Sequence, residues 1–248
     1  MAATWNLNGT LATATLNAGG TEYQIAVDVG DPTRGVRWTT ATAGSFQGTT
    51  LQFQPPPSAR SALVLADCYV RGADVVATYE QLPGAEVQPQ LYWRLLEHPE
   101  LAAIGVQVLI SMQTSLLHSE PRCTVASQLP GVRTAIWNWT DQRWFGSDKA
   151  EGFNLQSQPS ARGFVTWFST PQETNSYLEV IYPDDEVTQH VTLGRSEACF
   201  FAEHLEKGVI RRGRIAGWLA PNKSLMAGPT EPLKLFAAAR SEALPLTT

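Results

Sequence analysis

The sequence predicts an all-β, mainly antiparallel fold: a large two-sheet β-sandwich with one or two short helices. Short runs that alternate apolar and polar residues recur along the chain between turn signals. The 8 Trp, 9 Phe and 6 Tyr favour strands, because aromatic side chains suit a pleated, half-buried surface. Hairpin-type connections join neighbouring runs, which indicates antiparallel sheets, and about a dozen strands fit two packed sheets better than one.

The N-terminal half of the chain contains three predicted strand pairs. Gly19 and Gly20 can adopt positive φ without steric cost, so they suit a hairpin turn between the first two runs. Arg71, Gly72 and Ala73 connect the third pair in the same way. The predicted pairs are 10–16 with 22–29, 36–42 with 49–54, and 62–70 with 74–81.

The C-terminal half continues this pattern. Strands are predicted at 91–96, 106–117 and 186–193, with a hairpin formed by 163–169 and 176–182. His98, Pro99 and Glu100 open a short helix, because proline suits a first helical turn. The segment 231–244 is the best helix candidate, and a strand at 233–237 remains the alternative. We expect one domain over residues 1–248.

Core positions are predicted where strand alternation places apolar side chains between turn signals. They are Val27, Leu65, Val76, Tyr92, Val108, Ile110, Trp167, Val180, Ile181 and Ile215.

Composition excludes several classes of function. The formal net charge is −5, and the one dense basic patch lies at 211–214, so we expect no nucleic-acid partner. Cys68, Cys123 and Cys199 are too far apart for a disulfide framework or a metal knuckle, and we expect no metal and no cofactor. Neither a signal peptide nor a membrane span is recognisable, which predicts a cytoplasmic protein with no membrane contact.

A tryptophan-rich stretch at 137–145 is the most suggestive ligand-binding feature. If this stretch is extended, Trp137, Trp139, Asp141 and Arg143 share one face. Aromatic rings can stack on the C–H face of a sugar, while Asp and Arg side chains bind its hydroxyl groups. The alternative is a core strand whose Trp side chains fill the sandwich.

Four histidines limit any histidine-dependent mechanism to a few positions. In a strand, His204 and Glu206 would point to one face, and such a pair could act as general acid and base. A solvated turn is the alternative at this position. His190 is a further catalytic candidate, which would share a strand face with Thr188 and Thr192, and a structural histidine with satisfied nitrogens is the alternative.

Arg212 and Arg214 alternate on one predicted strand face with Ile210 and Trp218. Two guanidinium groups in this arrangement can hold a carboxylate or a phosphate. A solvated face with the arginine stems lying over apolar neighbours is the alternative.

Two stretches, 77–96 (ATYEQLPGAEVQPQLYWRLL) and 201–219 (FAEHLEKGVIRRGRIAGWL), resemble segments of uncharacterised bacterial β-rich proteins. Chain length and strand density are similar to those of the galactose-mutarotase-like supersandwich. This resemblance implies a fold that also houses sugar epimerases, in which a His and a Glu act as the catalytic pair.

Two hypotheses of function follow. The first is a non-catalytic β-sandwich that binds a carbohydrate or acts as an interaction module, because no catalytic motif is present. The second is a sugar-modifying enzyme of the aldose-epimerase class that uses a His/Glu pair. The sequence identifies no protein partner.

Overall fold

The computed structural model describes residues 3–18, 20–40, 44–45, 48–56, 63–130, 132–138, 142–147, 153–156, 164–169, 175–182, 187–228 and 230–241. Strands dominate these residues, as the alternating patterns predict. The strands are β1 Asn6–Asn8, β2 Leu11–Ala18, β3 Thr21–Asp28, β4 Val36–Thr40, β5 Gly44–Ser45, β6 Thr49–Gln54, β7 Leu65–Arg71, β8 Asp74–Tyr79, β9 Gln88–His98, β10 Ala103–Gln113, β11 Cys123–Gln128, β12 Arg133–Asn138, β13 Arg143–Ser147, β14 Phe153–Gln156, β15 Phe164–Ser169, β16 Asn175–Ile181, β17 Val187–Thr192, β18 Arg195–Phe200 and β19 Arg211–Pro221.

These strands form two sheets in which every pairing between the described strands is antiparallel. Sheet I has 10 strands in the order β1-β2-β3-β4-β6-β11-β18-β17-β14, with β5 beside β4. Sheet II has 9 strands in the order β13-β12-β15-β16-β19-β10-β9-β8-β7. The predicted all-β sandwich is therefore confirmed.

The main core lies between the two sheets, because one apolar cluster draws side chains from both. Val27 and Phe53 of sheet I belong to it, as do Val108 and Ile215 of sheet II. Most of the predicted core positions are buried, while Leu65 and Trp167 are half-buried. The buried ones are Val27, Val76, Tyr92, Val108, Ile110, Val180, Ile181 and Ile215.

Two α-helices cover part of the outer face of sheet II. They are α1, Asn222–Leu225, and α2, Glu231–Ser241, so the helix predicted at 231–244 is found over its described part and the alternative strand at 233–237 is not. Leu235 and Phe236 of α2 share a second apolar cluster with Trp218 of β19. Short 3-10 turns occur at Pro32–Arg34 and Pro99–Leu101, the latter at the predicted helix start. None of the helices in the described ranges is long and apolar enough to cross a membrane.

Three of the four predicted strand pairs are hairpins, namely β2 with β3, β7 with β8, and β15 with β16. The pair at 36–42 and 49–54 is different, since β4 and β6 are neighbours that share only the Val36–Thr50 register pair. Gly35 allows β4 and β6 to approach closely, because a Cβ at this position would lie only 2.3 Å from the Thr50 carbonyl oxygen. Its φ is also positive, at 68°, a conformation that glycine adopts without steric cost.

Two stretches lack the extended conformation on which their site hypotheses depended, and at the second the solvated turn that we gave as the alternative is found. The stretch 137–145 is not one strand, because β12 and β13 pair as antiparallel neighbours and Trp137 lies opposite Trp144. The segment 201–210 is irregular apart from a single bridge between Leu205 and Ser119, and β19 begins only at Arg211. In the sequence, the alternation typical of a strand continues through both segments. In the structure, a turn divides the first segment, and the second forms only an isolated bridge.

Candidate functional site

Alternation along the central strands of sheet II gives it an outer face that points away from the main core. On β10, Val108 and Ile110 enter that core, so Gln107, Leu109 and Ser111 point outward. Helix α2 covers the apolar part of this face, and polar and aromatic side chains occupy the remainder. We call that remainder the polar face; it comprises Asp67, Tyr69, Arg71, Asp74, Thr78, Gln90, Tyr92, Arg94, Gln107, Ser111, Tyr182, Arg212 and Arg214.

An ion pair fixes one row of the polar face. Asp74 and Arg94 are opposite each other in the β8–β9 register. The Arg94 Nε lies 2.7 Å from Asp74 Oδ1, and a second guanidinium nitrogen lies 3.0 Å from Oδ2. The side chains are 17% and 6% exposed, so this two-point contact is largely shielded from water. It holds both groups in a defined orientation beside Gln107, the next residue in the row.

A chain of hydrogen bonds fixes the neighbouring rows. The Tyr92 hydroxyl donates to Gln90 Oε1 at 2.5 Å, and Gln90 Nε2 donates to Thr78 Oγ1 at 2.8 Å. Burial raises the pKa of Tyr92, whereas the guanidinium groups of Arg71 and Arg212 act in the opposite direction. The phenol therefore stays protonated and can donate a hydrogen bond at neutral pH.

Arg214, Tyr182 and Gln107 form the centre of the polar face. The Arg214 guanidinium carbon lies 4.1 Å from the centroid of the Tyr182 ring, in cation–π contact. Gln107 Nε2 donates a hydrogen bond to the Tyr182 hydroxyl. Arg212 lies two residues before Arg214, on the same side of β19, as strand alternation predicts. Both arginines are half-buried, and an anion-binding role for them remains a prediction.

The tryptophans at the other end of sheet II pack against one another. Trp137 and Trp144 are edge-to-face with ring centroids 5.4 Å apart, and Trp144 meets Trp167 at the same distance. Trp137 is 4% exposed and belongs to the cluster beneath α2. Its ring is therefore part of the packing rather than an open stacking platform.

The prediction of one shared face for the tryptophan stretch is corrected by the hairpin. Arg143 lies opposite Asn138, one position away from the Trp137–Trp144 pair, and so points to the other side of the sheet. Its guanidinium lies 4.4 Å from the Phe145 ring centroid. Trp139 and Asp141 lie outside the described residues, so their ligand-binding roles remain predictions.

The catalytic pair predicted at His204 and Glu206 does not lie on a regular strand. Both residues are exposed, on either side of the buried Leu205. The His204 ring lies against another imidazole, that of His118, with ring centroids 3.9 Å apart. Glu203, which the alternation placed on the opposite face, pairs with Arg211 at 2.7 Å.

His190 has a carboxylate directly across from it. In the β17–β18 register it lies opposite Glu197, on the outer face of sheet I. Directly opposed residues on one sheet face have Cβ atoms about 5 Å apart, within contact range of these side chains. Glu197 also forms an ion pair with Arg195. Sequence reasoning missed this pairing, because the partner lies on a different strand.

A buried carboxyl group between the sheets also escaped the sequence analysis. Glu179 is 1% exposed and lies on the core side of β16. Tyr177 Oη donates to Glu179 Oε1 at 3.4 Å. Burial raises the pKa of Glu179, although the hydroxyl groups of Ser127, Ser196 and Tyr177 act to lower it. The signal was available, since a glutamate interrupts the otherwise apolar run around 177–182.

No set of three or more His, Cys, Asp or Glu side chains that could hold a metal ion occurs within the described ranges. The three thiols are unbridged: Cys123 is buried, whereas Cys68 and Cys199 are half-buried.

Comparison with known proteins gives a likeness in structure alone. No family model matches the chain, and no curated protein matches its sequence. A galactose mutarotase related enzyme from Lactobacillus acidophilus matches with a TM-score of 0.49 at 7% identity, over 83% of this chain and 97% of that chain. A galactose mutarotase-like protein from Lactobacillus casei matches with a TM-score of 0.42 at 11% identity, over 88% and 99% of the two chains.

A heparan sulfate lyase from Pedobacter heparinus matches with a TM-score of 0.38 at 10% identity, over 85% of this chain and 35% of that one. The matching structures include galactose-mutarotase-like proteins, the kind that the sequence resembles. The fold of this chain places it in the class of large antiparallel β-sandwich proteins. At these scores and identities, the likeness carries no information about a ligand or a reaction.

Proposed function

We propose that this protein binds a carbohydrate on the polar face of sheet II. The observation that carries the proposal is the group formed by Arg214, Tyr182 and Gln107, in which an aromatic ring, a guanidinium group and an amide are held together. Saccharides are recognised by such combinations, because hydroxyl groups need planar donors and acceptors while C–H faces need apolar contact.

The hydrogen-bonding groups around this centre are held in place before any ligand arrives. Arg94 is oriented by Asp74, and Tyr92 is oriented by Gln90 and Thr78. A ligand therefore loses little binding energy to the ordering of side chains. The centre of the face lies on β10 and β19 and at the end of β16, and each of these strands has a neighbouring strand on both sides, which gives the centre a rigid base.

The proposal is tested by applying the purified full-length protein to a glycan array and measuring affinity for the best ligand by calorimetry. Replacing Arg214 by Ala should weaken binding at least ~10-fold, because a desolvated charge-assisted contact contributes about 1.5–3 kcal/mol. Arg37→Ala is the matched control, since Arg37 is exposed on sheet I. The proposal would be overturned if the protein bound no glycan on the array, or if Arg214→Ala and Arg37→Ala lost the same amount of binding affinity.

A sugar-modifying enzyme of the aldose-epimerase class is the second candidate. The observation that favours it is the pairing of His190 with Glu197 across β17 and β18, which could serve acid–base chemistry. Polarimetry of freshly dissolved galactose and glucose tests it. Activity that His190→Ala and Glu197→Gln each abolish would support this candidate, whereas an inactive protein or active variants would remove it.

A further inference from the structure

Two histidines from distant parts of the chain lie in ring contact on the protein surface. His118 follows the end of β10, and His204 follows the end of β18. Their ring centroids are 3.9 Å apart with an interplanar angle of 38°, and both residues are exposed. The strand-based sequence prediction could not pair them, because neither lies in a regular strand.

The backbone holds the two imidazoles together. Each histidine immediately precedes one partner of an antiparallel bridge: Ser119 N donates to Leu205 O at 3.0 Å, and Leu205 N donates to Ser119 O at 3.0 Å. Ser119 Oγ adds a third bond to Leu205 O at 3.1 Å. Ser119 and Leu205 are 1% and 0% exposed, so the bridge is anchored in the protein while its neighbours point outward.

The bridge also places two glutamates opposite the histidines in the backbone register. In an antiparallel register centred on Ser119 and Leu205, Glu206 lies opposite His118 and Glu120 lies opposite His204. Both glutamates are exposed on the same side as the histidines. The Glu120 backbone N–H is held by Glu86 Oε2 at 2.7 Å, which fixes the chain directly after the bridge.

We propose that His118 and His204 form a surface binding site for a divalent transition metal ion. Neutral imidazole nitrogens are preferred ligands of Zn²⁺, Ni²⁺ and Cu²⁺. Two nitrogens on one tetrahedral zinc lie about 3.4 Å apart, and the two exposed rings can reach this spacing by turning out of their contact so that one nitrogen of each points to a common ion. Water completes the coordination.

This site is independent of the proposed carbohydrate site on the polar face, because it uses neither the Asp74–Arg94 ion pair nor the aromatic residues of that face. Its rigidity favours binding, since the bridge has already brought the two ligands together and little ordering remains to be done.

Calorimetric titration of the full-length protein with ZnCl₂, and separately with CuCl₂, tests the proposal at pH 7.5. We expect one site at pH 7.5, weakened at least ~10-fold by His118→Ala and equally by His204→Ala. His190→Ala is the matched control, a half-buried histidine on another strand, and should bind as the parent does. Circular dichroism verifies that the variants are folded.

Three results would overturn the proposal: no heat of binding in the parent protein, binding as tight as the parent's in either histidine variant, or a loss that His190→Ala shares. Glu206→Gln distinguishes a two-imidazole site from one completed by the carboxylate. A loss of affinity in this variant would show that Glu206 is a ligand of the metal ion. An unchanged affinity would show that water takes the remaining coordination positions. The two histidines are ligands in either case.

Discussion

The Tyr177 side chain reaches from β16 over Gly217 of β19, and there is no room for a methyl group between them. A Cβ on Gly217 would lie 2.2 Å from the Tyr177 hydroxyl oxygen and 2.8 Å from the ring. Tyr177 in turn donates to Glu179, the residue directly opposite Gly217 in the register. The glycine thus makes space for a buried tyrosine that supports a buried carboxyl group.

Replacing Gly217 by Ala should destabilise the protein by about 1–3 kcal/mol, because the added methyl group overpacks the core and displaces the Tyr177 ring. Gly146→Ala is the control, since nothing lies within 4 Å of a Cβ at that position. Urea denaturation of both variants measures the difference. Equal stability of the two variants would contradict the close contact at Gly217.

Glu179 should make stability depend on pH. Its folded-state pKa is raised from the ordinary value of 4.5 by burial, so above that pH the folded state binds more protons than the unfolded state. The contribution to stability is fully present below about pH 4.5 and is lost as the pH rises through the folded-state pKa. Glu179→Gln keeps a neutral group of the same shape, so the variant should gain stability relative to the parent across this window.

The measurement is the free energy of unfolding of parent and Glu179→Gln proteins at several pH values from 4 upward. Glu22→Gln serves as the control, because Glu22 is exposed on β3 and its replacement should leave the pH profile of the parent unchanged. Parallel profiles for the parent and the Glu179 variant would show that burial does not perturb this carboxyl group.

The ion pair between Asp74 and Arg94 should be sensitive to removal of either partner. Asp74→Ala leaves a mostly buried guanidinium without its carboxylate and should cost about 3 kcal/mol. Glu203→Ala breaks the exposed pair with Arg211, where the side chains are 60% and 33% exposed, and should cost less than about 1 kcal/mol. Thermal or urea unfolding compares the two, and similar losses would refute the distinction.

Thiol reactivity should separate the three cysteines. Cys123 is fully buried in the main core, whereas Cys68 and Cys199 are half-buried. Burial and the neighbouring Asp67 raise the pKa of the Cys68 thiol, so this group should react more readily as the pH increases. A colorimetric thiol reagent should label Cys123 only in denaturant. Modification of Cys123 in the folded protein, detected by peptide mass spectrometry, would contradict its burial.

The fold was predictable because strand alternation is a local signal. The hairpins at β2–β3 and β15–β16 follow from a period of two and a turn between the runs, both of which are visible in the sequence. The same rule failed at 137–145, where alternation continued through a hairpin turn. Periodicity cannot distinguish one long strand from two short paired strands without a glycine or proline signal at the turn.

The candidate sites were less predictable, because they depend on which strands become neighbours. Asp74 and Arg94 pair only through the β8–β9 register, and Tyr182 and Arg214 meet only because β16 lies beside β19. Arg212 and Arg214 could be placed on one face because they share a strand. His118 and His204 meet through a bridge between irregular segments, for which the sequence carries no periodic signal.

The layer under α2 contains Trp137 and Trp218 in its cluster, with Trp144 and Trp167 packed against it. Trp5, Trp38 and Trp93 belong instead to the core between the sheets. Intrinsic fluorescence will therefore report two separate layers of the molecule at once. If α2 detaches before the sheets separate, the tryptophan emission maximum will shift to longer wavelength while the far-ultraviolet circular dichroism of the strands is retained. Tryptophan fluorescence can therefore detect the detachment of α2 without an added label.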